Sequence, residues 1–413
     1  MTHKRPLHAA LALAVAAASP QLLANGVAVN EQSASSMGTG FAGRSSSAQD
    51  ASTVFGNPAG MSKIERTQIS GGAAIIDART DISDVQSPAS GTNDGDMVPF
   101  TAIPFGYYVT PVNENWHFGL GVYVPFGVIS DYEESFQGRY HGLESEVQVI
   151  TVQPTVSYRI NQKVSVGFGP TINRIEGTLT RAVAFGPTDA NVDIQGDDVA
   201  YGFNVGVLAD LTERLALGLT YHSKVDYSLE GETQLSGFPI PVNGEYDATL
   251  DVTTPESIDL SLTYQHNDYW TLYAGATWTR WSQFDQLNIE NPDAQAPFDN
   301  VQEGLDWSDT VAYGLGAAYQ VTPTVVLRTG LAFDPSPTND ADRTVRIPVS
   351  DRTVFSVGAG WQATDNLTLD VAYAYLHEDE GNVSYSGSAT SPAYRAEYSN
   401  SAHGLAAQAT YSY

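Results

Sequence analysis

A chain of 413 residues without a cysteine, carrying 19 Lys and Arg against 47 Asp and Glu for a formal charge of −28, has no disulfide framework, no thiolate metal site and no lipoprotein anchor. That charge also speaks against nucleic acid as a partner. No run beyond the N-terminus reaches the roughly 18 apolar residues of a spanning helix, so a membrane crossing would have to use strands.

At the start of the chain, His3, Lys4 and Arg5 precede a mainly apolar stretch over 9–18, a polar stretch over 19–21, and Leu22 and Ala24 as a cleavage signal. This predicts a secretory signal peptide over residues 1–24. Removing it takes the formal charge from −28 to −30, since Lys4 and Arg5 go with it. Residues 25–65 are Ser, Ala, Gly and Asn with few charges and no alternation. So short a stretch cannot build a core of its own; it either hangs free in the periplasm or, as we expect, folds as a plug inside the structure formed by residues 66–413.

From there on, short polar turns at 111–115, 161–163, 210–214, 266–268, 322–324 and 364–366 alternate with long connections at 78–97, 128–143, 185–196, 231–244, 290–305, 334–351 and 378–402. Six turns and seven connections separate fourteen segments. An even number of strands with short turns at one end and long loops at the other is the pattern of a bacterial outer-membrane barrel.

The segments themselves alternate. Over 215–229 the odd positions Leu215, Leu217, Leu219, Tyr221, Val225, Tyr227 and Leu229 are apolar, interrupted by Ser223, and the even ones are small or polar. We read the odd set as facing lipid. Ile258, Leu260, Leu262 and Tyr264 repeat the pattern, as do Leu367, Leu369, Val371, Tyr373 and Tyr375. The outward set of the ninth segment begins and ends with Trp270 and Trp278, as expected of aromatic girdles. The fold expected is therefore all-β, a fourteen-stranded antiparallel transmembrane β-barrel in the Gram-negative outer membrane, with an N-terminal hatch in its lumen.

Three places suggest function. Pro125 lacks a ladder donor and Gly127 lacks a side chain, so Pro125, Phe126 and Gly127 are expected to disrupt pairing and make a lateral opening, or else to end the strand at the rim. In the fifth strand Val164, Val166, Phe168, Pro170 and Ile172 face lipid, which turns Ile175, Leu179, Arg181 and Val183 inward near the outer end as a ligand pocket. Arg181 there would hydrogen-bond a carboxylate bidentately or pair with a loop acid. The acids Asp131, Glu133, Glu134, Glu290, Asp293, Asp299, Glu303, Glu378, Asp379 and Glu380 are read as solubility, with a divalent-cation site including Asn93, Asp94 and Asp96 as the alternative. Gly38-Thr39-Gly40-Phe41-Ala42-Gly43 matches a dinucleotide-binding pattern but lacks the strand–helix context, and His117, His141, His222, His266, His377 and His403 are scattered. No catalytic residues, metal ligands or cofactors are assigned, and the chain is not read as an enzyme.

Asn30 to Gly38, Gly43, Asp50-Ala51-Ser52-Thr53 and Asn57-Pro58-Ala59-Gly60-Met61 together resemble the N-terminal hatch of FadL-type transporters of long-chain fatty acids and other hydrophobic compounds. Pro125-Phe126-Gly127 with Gly138-Arg139-Tyr140-His141 resembles that family's kinked third strand and the loop after it. Trp278 to Phe284 resembles its ninth strand, and Phe333 to Thr338 with Arg343, Ile347 and Pro348 its sixth outer loop. The resemblance implies a monomer in contact with outer-membrane lipid and lipopolysaccharide, which takes up a hydrophobic small molecule without an energy source. In this scheme the ligand adsorbs among the loops and enters an apolar pocket. Hatch movement near Asn57, Pro58 and Ala59 then lets it leave sideways through the wall. A second basic residue before the tenth strand, which the family pattern implies, falls at Val301 or Gln302. That departure leaves uncharged aromatic or alkane hydrocarbons open as ligands beside fatty acids. A cation-preferring porin, suggested by the acidic loops, and a role as phage receptor or adhesin also remain open.

Overall fold

The structure, a computed structural model, describes residues 26–185, 188–239 and 241–413. The signal peptide expected over residues 1–24 lies outside them. Among the described residues nineteen strand segments form one antiparallel sheet that closes on itself through the first and last. Five pairs of consecutive segments are interrupted halves of single strands, so the wall has fourteen. In chain order they are Gln68–Gln86, Thr101–Pro111, Trp116–Asp131, Glu144–Arg159, Val164–Val183 and Ala190–Thr212. There follow Leu215–His222 with Val225–Ser236, Gly244–Thr254 with Ser257–Gln265, Trp270–Thr279 with Gln286–Glu290, and Asn300–Gly304 with Thr310–Thr322. The last four are Val325–Asp334, Arg352–Gln362, Leu367–Glu378 with Gly381–Tyr385, and Tyr394–Ser412.

Every expected turn joins two strands where it was placed. The reason is local chemistry: Asn113 Oδ1 accepts from the amides of Asn115 and Trp116, both at 2.9 Å, and Asn161 and Asn267 close their turns in the same way. The long connections are shorter than the sequence predicts, because strands continue beyond the lipid band. The first strand runs on to Gln86 and the seventh to Ser236. There the outward positions become Arg79, Asp81, Glu230 and Glu232, so the polar–apolar alternation fades although the ladder persists.

Lipid-facing rows carry the exposed Leu260, Leu262, Leu315, Leu331 and Val371, bounded at the turn end by Trp116, Trp270, Tyr319 and Trp361. Trp116 packs on Tyr158 and Trp270 on Tyr319, with ring centroids 4.7 and 4.8 Å apart.

One expectation about facing is overturned. Between the sixth and seventh strands, Asn204 pairs with His222 but Asp197 with Glu230, an advance of seven residues against eight. The extra residue is a bulge at Ser223, whose amide donates to Phe203 O and whose hydroxyl accepts from Phe203 N. Parity inverts there. Leu219 faces lipid as expected, but Val225, Tyr227 and Leu229 are buried inside the barrel.

The N-terminal segment packs against the inner wall. Its two short helices, Ala34–Met37 and Thr53–Gly56, and the 3-10 turn Pro58–Lys63 are each too brief to stand alone. Wall glycines seat them: a methyl group at Gly206 would overlap Asn57 Oδ1, at Gly218 Ser45 O, at Gly119 Met61 Sδ and at Gly330 the backbone of Thr39. Gly40 and Gly43, part of the dinucleotide-like run, adopt φ of +63° and +78° and lie against Gly330 and Tyr273, so that pattern is a turn device. Thr220 Oγ1 donates to Gly56 O at 2.8 Å, and the amide of Ala34 and the hydroxyl of Ser33 donate to Gln408 Oε1 at 3.1 and 3.2 Å.

Candidate functional site: an apolar chamber below a polar vestibule

The strand residues that the bulge turns inward converge with those of the fourth and fifth strands. Val149, Ile175, Val225, Tyr227 and Leu229 form one buried cluster, with Phe126, Val147, Leu250 and Val252 packed against it. Leu229 of this cluster, with Phe126, Val147, Val149, Ile175, Leu250 and Val252, joins Val27, Val128, Phe284, Leu287 and Leu305 around a chamber of about 1050 Å³, its open mouth included, whose lining is almost wholly apolar, while Val225 and Tyr227 pack behind it. An alkyl chain gains roughly 0.8 kcal/mol per CH₂ buried in such a space.

Above it lies a polar vestibule of about 1340 Å³, open to the outside. Leu179, Ile194, Leu287, Ile289, Glu303, Thr344 and Arg346 line both spaces, so the two are continuous. Two guanidinium groups stand at this boundary. Arg346, on the loop between the eleventh and twelfth strands, is tied to Glu144 O at 2.9 Å, Ser145 Oγ at 2.8 Å, Thr180 O at 3.1 Å and Glu303 Oε2 at 3.2 Å. Arg181 is different: its buried Nε makes no hydrogen bond among the described residues. Its charged neighbours are Arg346 and, with the opposite sign, Glu303.

Of the four pocket residues expected on the fifth strand, Ile175 and Leu179 line the chamber and Arg181 the vestibule. Val183 lines neither; it is buried further out, against Val192, Leu235, Phe238 and Phe298, because the fifth strand outlasts the chamber. Val301 and Gln302, where the family pattern implies a cation, line the vestibule, as do Arg343 and Arg346. Among the acids, Glu303 holds Arg346, and Glu378 is buried where it accepts from Asn400 Nδ2 at 2.9 Å, so these two are structural. Among the described residues no group of three His, Asp or Glu side chains is placed to hold a metal ion.

The wall beside the chamber is interrupted. The second and third strands pair from Pro111 and His117 up to Gly106 and Val122, and no further. Higher up, Asp131 N donates to Met97 O at 2.7 Å. Between those levels Pro125, Phe126 and Gly127 lie on an edge the second strand has left, at the register shift between Tyr123 and Phe126. The N-terminal segment takes the vacated place: Gly127 N donates to Val27 O and Val29 N to Pro125 O, both at 2.8 Å. Gln32 ties this strap down, its side-chain amide donating to Val29 O and to Val124 O while Tyr107 of the second strand donates to Gln32 O at 3.0 Å. Neither the strap pairing nor the role of Gln32 is visible in local sequence.

Asn57, Pro58 and Ala59 sit elsewhere, against the fifth and sixth strands. Asn57 Nδ2 donates to Ser45 O and Val207 O at 2.6 and 3.0 Å, and its Oδ1 accepts from Ala59 N at 2.9 Å. None of the three lines the chamber.

A closed fourteen-stranded barrel with a lipid-facing belt and an apolar chamber in its lumen defines an outer-membrane transport protein. A family model described as outer membrane protein transport protein (OMPP1/FadL/TodX) matches residues 15–413, and the chain belongs to that family of outer-membrane transporters of hydrophobic compounds, which are not enzymes. It is 30% identical over 394 residues to the 47 kDa outer membrane protein of Pasteurella multocida, covering 89% of this chain and 90% of that protein. The long-chain fatty acid transport protein of Escherichia coli (strain K12) is 27% identical over 409 residues, covering 89% and 91%. Among solved structures, a Pseudomonas aeruginosa FadL homologue superposes with a TM-score of 0.86 at 25% identity, covering 94% of this chain and 99% of that one. The Ralstonia pickettii toluene transporter TbuX shares the fold at a TM-score of 0.68 and 17% identity, covering 93% and 98%.

Proposed function

We propose that this protein takes up long-chain fatty acids or related carboxylate amphiphiles by passive transfer, working as a monomer surrounded by outer-membrane lipid and lipopolysaccharide. The observation that carries this reading is Arg181, a cation with an uncommitted Nε donor at the mouth of an apolar chamber. A carboxylate reaching that level receives charge-assisted hydrogen bonds while its chain descends into the chamber. Arg346 adds positive potential, although most of its own donors are engaged.

Release follows from the strap. When Val27–Val29 leave the edge of the third strand, the chamber wall at Phe126 and Gly127 opens toward the gap beside the second strand, and an apolar ligand moves down its free-energy gradient into the bilayer. In this reading the moving part of the hatch is the strap, and Asn57-Pro58-Ala59 anchors the remainder. The dense seating of residues 38–61 on wall glycines speaks against a water-filled porin.

The test is binding and uptake of oleate and toluene by the protein and its Arg181→Ala variant. Charge-assisted bonds are worth about 1.5–3 kcal/mol, so oleate affinity should fall roughly 10- to 150-fold with toluene unchanged. Unaltered oleate binding would remove Arg181 from the site. Uncharged hydrocarbons remain a second reading, favoured by the carboxylate of Glu303 beside the two cations.

A further inference from the structure

The barrel wall has a second interruption, between the eighth and ninth strands. Their ladder runs from Gln265 and Thr271 to Ser257 and Thr279, and Arg280 N still donates to Glu256 O at 3.0 Å. It resumes only at Leu250 with Ile289 and Thr249 with Glu290. Between these levels the ninth strand turns away. Ser282 N donates to Asp309 Oδ1, Phe284 O accepts from Trp307 N, and Asp285 O accepts from the amides of Leu305 and Asp306, all on the side of the tenth strand. The other edge of the eighth strand stays paired with the seventh from Thr254 to Gly244, so its unpaired edge faces the seam.

A recess in the outside of the wall marks this seam, with Asp226, Asp251 and Thr253 on its rim. Val252, Phe284 and Leu287 line both the recess and the apolar chamber. These three apolar side chains stand between the two spaces, and Phe284 is steadied by stacking on Trp307 with ring centroids 5.2 Å apart. The seam lies just beyond the lipid-facing Ile258 and Trp278, level with the ion pairs Glu256–Arg280 and Asp226–Lys224, at the height where the outward positions turn from apolar to charged.

We propose that this seam is a side entrance through which uncharged apolar molecules dissolved in the outer leaflet reach the chamber without passing the polar vestibule and its guanidinium groups. The inference rests on the reading of the chamber as the ligand site. A hydrocarbon in the bilayer that had to return to water to reach the vestibule would re-expose its whole apolar surface. Displacing Phe284 avoids that exposure. Carboxylates are turned away at the same place, because Asp226 and Asp251 face them and Lys224 is already paired with Asp226 at 2.9 Å. The two mouths thus sort ligands by charge before they share one chamber.

The chain has no cysteine, so a pair can be introduced without interference. Continuing the register from Leu250 and Ile289 sets Asp251 opposite Asn288, and Asp251→Cys with Asn288→Cys staples the seam. With the disulfide verified, uptake of toluene in cells should fall at least tenfold, oleate uptake should stay within twofold, and reduction should restore toluene. Thr253→Trp, which fills the recess from outside, should slow toluene in the same selective way without depending on a disulfide. Toluene uptake unchanged in either verified variant, or toluene and oleate falling together, overturns the entrance. So does an unmodified protein that takes up oleate and no toluene. An unmodified protein that takes up neither probe refutes the chamber as a transport site, which is a separate failure.

Discussion

Gln32 crosses the gap in the wall, and replacing it tests whether the strap is the gate. Its buried side-chain amide donates to Val124 O on the third strand and to Val29 O at 3.3 Å within the strap, while its own carbonyl is held by Tyr107 of the second strand. Gln32→Ala leaves the carbonyl of Val124 without that donor. A buried polar group so orphaned costs about 1–3 kcal/mol. The cost falls on the closed state alone, because in the detached state both groups find water or lipid head groups. At about 1.4 kcal/mol per factor of ten, the detached population should rise roughly 5- to 150-fold. Hydrogen–deuterium exchange reads this directly, since the amides of Val29 and Gly127 are protected only by the strap pairing. In the variant, peptides covering residues 26–33 and 123–131 should exchange faster by that factor, with the amides of the first and last strands unaffected. Exchange at Val29 and Gly127 within twofold of the parent protein would refute the strap as a separable element.

Two further outcomes follow from the packing. Gly218→Leu drives a side chain into Ser45 O, where the segment also accepts from Asn57, and should cost several kcal/mol of plug seating; the plug becomes protease-sensitive and steady single-channel conductance appears, whereas a silent channel would contradict tight seating. His141 stacks on Tyr385 with ring centroids 3.9 Å apart and bonds Pro392 O at 2.8 Å, and burial, then Arg181 and Arg346, lower its pKa. A lowered folded value means that the unfolded loop binds the proton better, so the contact is at full strength above about pH 6.5 and is lost as the pH falls. Exchange of residues 386–393 should therefore quicken on acidification, and His141→Gln should remove that pH dependence.

The architecture was legible because its signals are local. Each tight turn carries an Asn, Asp or Thr that bonds the backbone two or three residues away, and each lipid-facing row repeats with period two. The chamber was legible only in part, because it depends on interruptions of that regularity. Ile175 and Leu179 follow from parity counted within a single uninterrupted strand. Val225, Tyr227 and Leu229 were assigned to lipid because the inserted residue at Ser223 inverts the count, and Ser223 was itself the visible break in the apolar row. Arg346 lies in a long loop whose course is set by bonds to the backbones of Glu144 and Thr180, far away in sequence. Nothing near position 346 could announce that partnership. Val183 was over-extended by the same parity argument, which says which way a side chain points and not how high the chamber reaches.

The ties between Gln408 and the Ser33–Ala34 turn bear on how the cylinder is kept closed. Gln408 belongs to the last strand, whose ladder with the first, from Gln68 and Ser412 to Gln86 and Arg395, closes the cylinder. Met37 lies against Gly404 on that same strand, and Asn57 against Gly206 on the other side of the lumen. A segment bonded at opposite sides of the bore sets the circumference on which the first and last strands meet. The inserted segment thereby acts as an internal brace: the junction of the first and last strands is held by ties from within as well as by its own ladder.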